Sequence, residues 1–146
     1  VFFQSLYFQD NPSRIEEGIA AAMDIVATMQ STARQRGSRF VLVLLPTKQM
    51  VEPETIADLI PRVRHALRLA PEWVHFDEQV HRGILEKARL SGVRVIDLLP
   101  DLRAARRHDP SRPLFWRTDF HLSSFGHAVV AASLGAWFAA ESSEEK

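Results

Sequence analysis

The sequence predicts an α/β fold in which helices cover both faces of a parallel sheet. Two apolar runs of strand length, residues 40–45 and 93–97, alternate with segments of helical periodicity. This alternation is typical of parallel strands joined by right-handed helical crossovers. Each run comes after a glycine and leads into Leu-Leu-Pro, so one helix-to-strand connection is used twice. We therefore predict an α/β fold with a parallel sheet, in one domain over residues 1–146.

The first predicted element is a helix over residues 12–36. Asn11 can cap it, and Pro12 suits its first turn. Gly37 follows as a stop signal. Apolar residues recur at helical spacing: Ile15, Ile19, Ala22, Met23, Val26 and Met29.

The run at 40–45 is uninterrupted, which predicts a strand buried on both faces. Prolines interrupt residues 53–70, where we expect one or two short helices that expose Arg62, Arg64 and Arg68. A second long helix is predicted over 72–90, ending before Gly92. Its apolar residues are Trp73, Phe76, Val80, Ile84, Leu85 and Ala88.

After the second strand, at 93–97, we expect a short basic helix at 101–107 with a solvated basic face (Arg103, Arg106 and Arg107), and then a loop at 108–117. A final helix is predicted over 123–140, followed by a frayed polar tail at 141–146. The buried stripe of that helix should comprise Phe125, Ala128, Val129, Ala132, Ala136 and Trp137.

Two strands are fewer than a stable sheet normally needs, which suggests that the sheet is incomplete in this chain. Either the aromatic segment at residues 1–8 supplies a further strand, or other strands lie outside the chain. In the second case we expect an exposed sheet edge that packs against a partner.

Composition excludes several functions. Eighteen basic and eighteen acidic residues give a formal net charge of zero, so nucleic acid is not an expected partner. The chain has no cysteine, which excludes disulfides and a cysteine nucleophile. No apolar run reaches the ~18–20 residues of a membrane span. The six histidines do not follow a metal-ligand spacing, so neither a metal nor another cofactor is predicted.

The densest polar cluster is the segment 117–127, which contains Asp119 and His121. A carboxylate two residues before a histidine can bind the imidazole, orient it and stabilise its protonated form, while the other ring nitrogen acts as a base. The same residues would also fit an aspartate cap and a surface histidine. Ser123 and Ser124 are better read as caps of the final helix.

A second polar group follows the first strand. Thr47 and Lys48 come directly after Pro46, at the strand end where open α/β sheets bind ligands. Lys48 could contact a substrate carboxylate or form a structural ion pair, or it could be a solvated loop lysine.

These motifs together resemble the SGNH (GDSL-type) hydrolases, nearest the alginate O-acetyltransferase group. The resemblance rests on the segment Phe-Trp-Arg-Thr-Asp-Phe-His at 115–121, on the strand that ends in Pro-Thr-Lys at 46–48, and on Asp-Leu-Leu at 97–99. The resemblance covers roughly residues 38–140 and identifies the chain as similar to the C-terminal part of such a domain. It implies a three-layer α/β/α fold with a parallel sheet, of the SGNH or flavodoxin-like type, that is incomplete in this chain. It implies that His121 is the base and Asp119 its orienting acid, with Lys48, Thr47 and Arg117 near the substrate. The substrate that it implies is an acylated carbohydrate of the cell envelope or a small ester.

The family's nucleophile motif, Gly-Asp-Ser or a similar Gly-x-Ser turn, is not found in this sequence. We therefore expect a portion of a serine esterase or O-acetyltransferase that carries the Asp-His pair and is inactive alone on simple acetyl esters. The alternative is a catalytically silent α/β domain for binding or scaffolding. The resemblance places either protein in the cell envelope or periplasm.

Overall fold

The computed structural model describes residues 8–9, 12–55, 57, 59–66, 68, 74–75, 77–117 and 119–144. The described elements, in chain order, are β1 (Phe8–Gln9), α1 (Pro12–Gln35), β2 (Val41–Leu44), α2 (Lys48–Val51), a 3₁₀ turn (Pro53–Thr55), α3 (Leu59–Ala66), β3 (Val74–His75), α4 (Asp77–Leu90), β4 (Arg94–Asp97), α5 (Leu99–His108) and α6 (Ser124–Glu144).

Strands β2 and β4 form a small parallel sheet, as the alternation of helices and apolar runs predicts. Just beyond β4, the Leu98 N–H donates to the carbonyl of Leu44, at the carboxyl end of β2 (3.1 Å). With helices on either side of the strands in the sequence, the architecture is of the α/β class. Prediction and structure agree on the first helix and on both strands to within one or two residues.

Burial of the first strand on both faces was a wrong expectation. Val43 and Leu45 are exposed, while Val41, Leu42 and Leu44 are half-buried. Val43 and Leu45 lie two residues apart and therefore share one face of the strand, which the described residues leave uncovered. The packing partner expected at such an edge stays a prediction.

The second long helix begins five residues later than expected. Val74–His75 is strand β3, which pairs antiparallel with Phe8–Gln9, and the helix starts at Asp77. Of the segment 1–8 only Phe8 is described, and it belongs to this separate two-stranded sheet and not to the sheet of β2 and β4. Residues 1–7, Trp73 and Phe76 lie outside the described residues.

By its contacts the chain divides into two units, Val1–Leu42 with Ala57–Val95, and Val43–Ile56 with Ile96–Lys146. In the first unit, α1 packs on α4. Ile19 lies against Gly83, where an added Cβ would come within 2.6 Å of the isoleucine Cδ1. The buried core of this unit comprises Ile15, Ile19, Met23, Val26, Ala88 and Val93.

In the second unit, α5 packs on α2 and on α6. The buried side chains of this unit include Met50, Val51, Ile96, Leu98, Leu102, Leu114, Phe115 and Leu122, together with the polar residues Lys48, Glu52 and Ser123. Buried polar groups need hydrogen-bond partners, so these three residues indicate where the chain is held in place.

The basic face of α5 is less solvated than expected. Arg103 donates to the carbonyl of Met50 (2.8 Å), and Arg106 binds Glu54 Oε1 through Nη2 (2.6 Å) and Nε (3.1 Å). Partial burial acts to raise the pKa of Glu54, but a backbone hydrogen bond and the Arg106 guanidinium outweigh it and lower the pKa below its ordinary value.

The final helix also departs from expectation. Phe125, Val129 and Trp137 are half-buried, whereas the alanines of the predicted stripe (Ala128, Ala132 and Ala136) are exposed, because α5 covers only part of α6. The helix runs on to Glu144 through the predicted polar tail. Ser142 and Ser143 donate to the carbonyls of Phe138 and Ala139, four residues earlier, which lets these hydroxyls stay within the helix.

Candidate functional site

The predicted Asp-His pair lies at the tip of a short antiparallel hairpin in the second unit. The Ser123 N–H donates to the Leu114 carbonyl (2.9 Å), Phe115 bridges Leu122, and the Trp116 N–H donates to the His121 carbonyl (2.8 Å). These contacts share one register, which places residue 116 opposite residue 121. We call residues 114–123 the Asp-His hairpin.

Burial along the Asp-His hairpin decreases from its base, where Leu114 and Ser123 are also buried, toward its tip. Phe115 and Leu122 are buried, and their neighbours Trp116 and His121 are exposed. Residues directly opposite each other on two paired strands point to the same side, so the indole of Trp116 and the imidazole of His121 project from the same face of the hairpin.

Lys48 holds the outer end of the hairpin. It is the first residue of α2, only 2% exposed, and its Nζ donates to the carbonyls of Trp116 (2.8 Å) and Arg117 (3.4 Å). The lysine is therefore a buried cation that serves two backbone oxygens, and the solvated-loop alternative for it is wrong. The substrate contact that the resemblance implies for Lys48 stays a prediction.

Glu52 holds the inner end of the same hairpin. It is fully buried, and its Oε1 accepts the Leu114 N–H at 2.6 Å. Oε2 is buried and has no hydrogen-bond partner in the described part of the chain. Since Glu52 lies four residues after Lys48, the short helix α2 directs two buried charged groups to one hairpin strand.

Ser123 joins the hairpin to α6. Its hydroxyl donates to the Pro113 carbonyl (2.6 Å) and accepts the Gly126 N–H (3.1 Å), which is the N-cap arrangement predicted from the sequence. Gly126 lies so close to the hairpin that a Cβ there would be 2.1 Å from the Leu114 carbonyl oxygen.

Asp119 binds the residue predicted as its partner. Its Oδ1 accepts the backbone N–H of His121 (2.9 Å) and lies 3.4 Å from the imidazole Nδ1. The backbone hydrogen bond is the main reason that the pKa of Asp119 is lowered. Slight desolvation opposes this shift, and the imidazole and the Lys48 ammonium reinforce it.

The imidazole is open to an incoming group, since the His121 side chain is 86% exposed. An imidazole whose Nδ1 faces a carboxylate can accept a proton at Nε2 and share the resulting charge with that carboxylate. Such a pair can therefore serve as a general base and then as a general acid. The lowered pKa keeps the Asp119 carboxyl ionised at neutral pH, which is the state that a group orienting an imidazole requires.

The remaining predicted residues lie around this pair. Thr47 is half-buried at the N-cap position of α2, without a capping hydrogen bond from its side chain. Arg117 is exposed at the tip of the hairpin, and its backbone carbonyl accepts a hydrogen bond from Lys48 Nζ. Sequence reasoning missed Glu52 and Trp116. The signal that could have identified Glu52 is its position four residues after Lys48, because residues four apart lie on the same face of a helix.

Two other features are separate from the pair. Among the described residues, no three metal-ligating side chains converge, and no helix has the length and hydropathy that a bilayer crossing requires. The first unit contains a cavity of about 220 Å³ that holds none of the predicted site residues. Its lining comprises Gln30, Arg34, Ser38, Arg39, Phe40, Gly92 and Arg94.

Comparison with known proteins gives one family and two relatives. The family model described as an SGNH hydrolase-like domain of the acetyltransferase AlgX matches residues 2–146. The probable alginate O-acetylase AlgJ of Pseudomonas aeruginosa is 31% identical over 112 residues, which cover 77% of this chain and 25% of that protein. The protein of the same name from Pseudomonas syringae pv. tomato is 29% identical over 121 residues, or 83% of this chain and 27% of that protein. The chain thus spans about a quarter of the length of these curated relatives. No solved structure matches it significantly.

Proposed function

The chain belongs to the family of SGNH hydrolase-like domains of the AlgX acetyltransferase type, and from this membership we propose that it supplies the Asp-His pair of a carbohydrate O-acetyltransferase. One observation carries the proposal: the Asp119 carboxylate lies 3.4 Å from Nδ1 of an exposed imidazole. The names of the two relatives, both probable alginate O-acetylases, support an acidic polysaccharide as the acetyl acceptor.

In the proposed reaction, His121 Nε2 takes the proton from a serine hydroxyl contributed by the rest of the enzyme. The serine oxygen attacks the carbonyl carbon of an acetyl ester, and the protonated imidazole returns the proton to the departing alcohol. A sugar hydroxyl, deprotonated by His121, then attacks the acetyl-serine and regenerates the serine. With water in place of the sugar hydroxyl, the same steps hydrolyse the ester.

The hairpin contacts support this assignment because they orient the pair. Positioning a base within hydrogen-bond reach of its proton is a precondition for general base catalysis. Here two buried charged residues, Lys48 and Glu52, bind the backbone of the strand opposite His121. We further propose that strands outside the described sheet complete the three-layer α/β/α arrangement.

The proposal can be tested in the full-length gene product, with p-nitrophenyl acetate as donor and a uronate oligosaccharide as acceptor. His121→Ala should lower kcat by about 10²–10⁴-fold, the usual contribution of a general base. Asp119→Asn should lower it less, because the base is kept and only its orientation is weakened. The matched control is His127→Ala, an exposed histidine six residues further on.

Acetyl transfer that is unchanged in His121→Ala would instead identify a catalytically silent domain. The isolated chain offers a second check. Its hydrolysis of p-nitrophenyl acetate should stay at the background rate, with or without His121, because triad members act as a unit. Turnover well above background that disappears in His121→Ala would contradict the assignment of the nucleophile to another part of the enzyme.

A further inference from the structure

The cavity of the first unit lies where two helices lead into the two strands of the parallel sheet. It has a volume of about 220 Å³. Its lining comes from the end of α1 (Gln30 and Arg34), from the connection to β2 (Ser38, Arg39 and Phe40) and from the turn into β4 (Gly92 and Arg94). The helix-to-strand connection that the sequence uses twice therefore contributes to this cavity both times.

The two connections carry an arginine at the same place. Arg39 lies two residues after Gly37, and Arg94 lies two residues after Gly92. Both glycines have a positive φ, 69° and 67°, so each helix ends in the same kind of turn. Because β2 and β4 are parallel, both turns lie at the amino-terminal edge of the sheet, and both arginines line the cavity. Arg34, from the last turn of α1, is the third arginine of the lining.

Hydrogen bonds to α1 hold both turns. Gln30 Nε2 donates to the Gly92 carbonyl (3.4 Å), which joins this helix to the turn before β4. The Ser38 N–H donates to the Ala33 carbonyl (2.9 Å), which fixes the turn before β2 on the same helix. The backbone walls of the cavity are therefore formed before any ligand arrives, as they are in most small-molecule sites.

The charge of the lining selects the kind of ligand. The described lining contains three arginines and no acidic residue. A guanidinium is always charged, and its planar set of N–H donors matches the oxygens of a carboxylate or a phosphate. A phosphate monoester carries a charge of about −1.5 to −2 at pH 7 and three strong acceptor oxygens, whereas a carboxylate has one charge and two oxygens. Three arginines at one cavity therefore favour the phosphate.

The rest of the cavity limits the organic part of that ligand. Phe40 is half-buried and gives the wall an aromatic part, whereas Arg34, Arg39 and Arg94 are exposed. An exposed arginine can cover an apolar wall with its stem and keep its charged head in water. The volume is below the ~300–1,000 Å³ of sites for drug-sized ligands, so the organic group is small.

We propose that this cavity is a binding site for a small phosphate monoester, whose phosphate contacts the three arginines and whose organic group lies against Phe40. The site contains none of the residues of the Asp-His hairpin. It is therefore a function in addition to the proposed acetyl transfer, and it stands or falls independently of that reaction.

The experiment is a titration of the ¹⁵N-labelled chain with phenyl phosphate at constant ionic strength, followed in ¹H–¹⁵N correlation spectra. The amide signals of Ser38 and Gly92 should shift and give the Kd. Arg34→Gln and Arg39→Gln should each raise this Kd about tenfold, because each removes a charged donor. The matched control is Arg36→Gln, which removes an exposed arginine of the same turn that does not line the cavity and should leave the Kd within about twofold. The same spectra establish that each variant is folded.

Two further ligands distinguish the parts of the proposal. Benzoate, which has the same ring and a carboxylate, should bind at least about tenfold more weakly than phenyl phosphate. Inorganic phosphate should also bind more weakly, because it lacks a group to contact Phe40. Benzoate as tight as phenyl phosphate would overturn the preference for phosphate, and inorganic phosphate as tight as phenyl phosphate would overturn the monoester. Equal losses in Arg34→Gln and Arg36→Gln, or unshifted signals of Ser38 and Gly92, would overturn the site itself.

Discussion

The contact of Gly126 with the Asp-His hairpin makes a sharp prediction for stability. A Cβ at this position would lie 2.1 Å from the Leu114 carbonyl oxygen and 2.9 Å from Leu122 Cδ2. To restore ordinary contact at 3.4 Å, the carbonyl must retreat by about 1.3 Å. The Leu114 carbonyl accepts the Ser123 N–H, and the Leu114 N–H donates to the buried Glu52 carboxylate. The strand therefore cannot move without straining both hydrogen bonds.

The expected magnitude for Gly126→Ala combines two opposing effects. Overpacking typically costs about 1–3 kcal/mol, and each weakened hydrogen bond costs about 1 kcal/mol more. The helix propensity of alanine returns at most about 1 kcal/mol. We therefore expect the variant to lose about 2–4 kcal/mol of unfolding free energy, which is large beside the ~5–15 kcal/mol of a typical domain.

Urea unfolding followed by circular dichroism measures this loss, and Gly135→Ala is the matched control. Gly135 lies in the same helix, with no atom within 4 Å of the position of its Cβ. Alanine there should raise the unfolding free energy by about 0.5–1 kcal/mol. Equal effects of the two substitutions would refute the close packing of α6 on the hairpin.

Three further predictions concern the groups that hold the hairpin and its tip. Lys48→Met should cost about 1–3 kcal/mol because two backbone carbonyls lose their buried donor, whereas Lys87→Met, at an exposed pair with Glu16, should stay within about 0.5 kcal/mol by the same urea assay. Glu52→Ala should destabilise the chain to a similar extent as Lys48→Met; a neutral effect would contradict its bond to the Leu114 N–H. The lowered pKa of Asp119 predicts a small stabilisation that is fully present above the ordinary carboxyl pKa of about 3.9 and is lost as the pH falls through the lower folded-state pKa. A ¹³C NMR titration of the carboxyl checks it, and a titration midpoint above the ordinary value would refute it.

Apolar spacing and glycine stops predicted the elements that depend on residues close together in the sequence. The spacing of Ile15, Ile19, Met23 and Val26 identified α1, and all four side chains are buried in its core. The glycine after that helix has a positive φ of 69°, as its stop role requires. By contrast, Val74–His75 was assigned to a helix because its pairing partner, Phe8–Gln9, is more than sixty residues away. Strand pairing at that separation leaves no mark on local periodicity.

The candidate site also contains features that local sequence predicts and features that depend on distant parts of the chain. The two-residue spacing of Asp119 and His121 allowed two readings, a contacting pair or an aspartate cap beside a surface histidine, because a short aspartate side chain can reach the backbone two residues on. The role of Ser123 as a helix cap was equally local. The position of Trp116 depends on the hairpin register, which is set by the burial of Phe115 and Leu122 and is not a property of the tryptophan itself.

By itself, therefore, the sequence determined the α/β alternation, the first helix, both strands of the parallel sheet and the closeness of Asp119 to His121. These features depend on periodicity, on glycine stops and on side chains within reach of their own backbone. Only the tertiary structure decided that Lys48 and Glu52 are buried on the strand opposite His121, 62 to 69 residues away in the chain. The physical reason is that a charged side chain is stable in the interior only where folding brings hydrogen-bonding groups to meet it, and the partners here arrive from a distant hairpin.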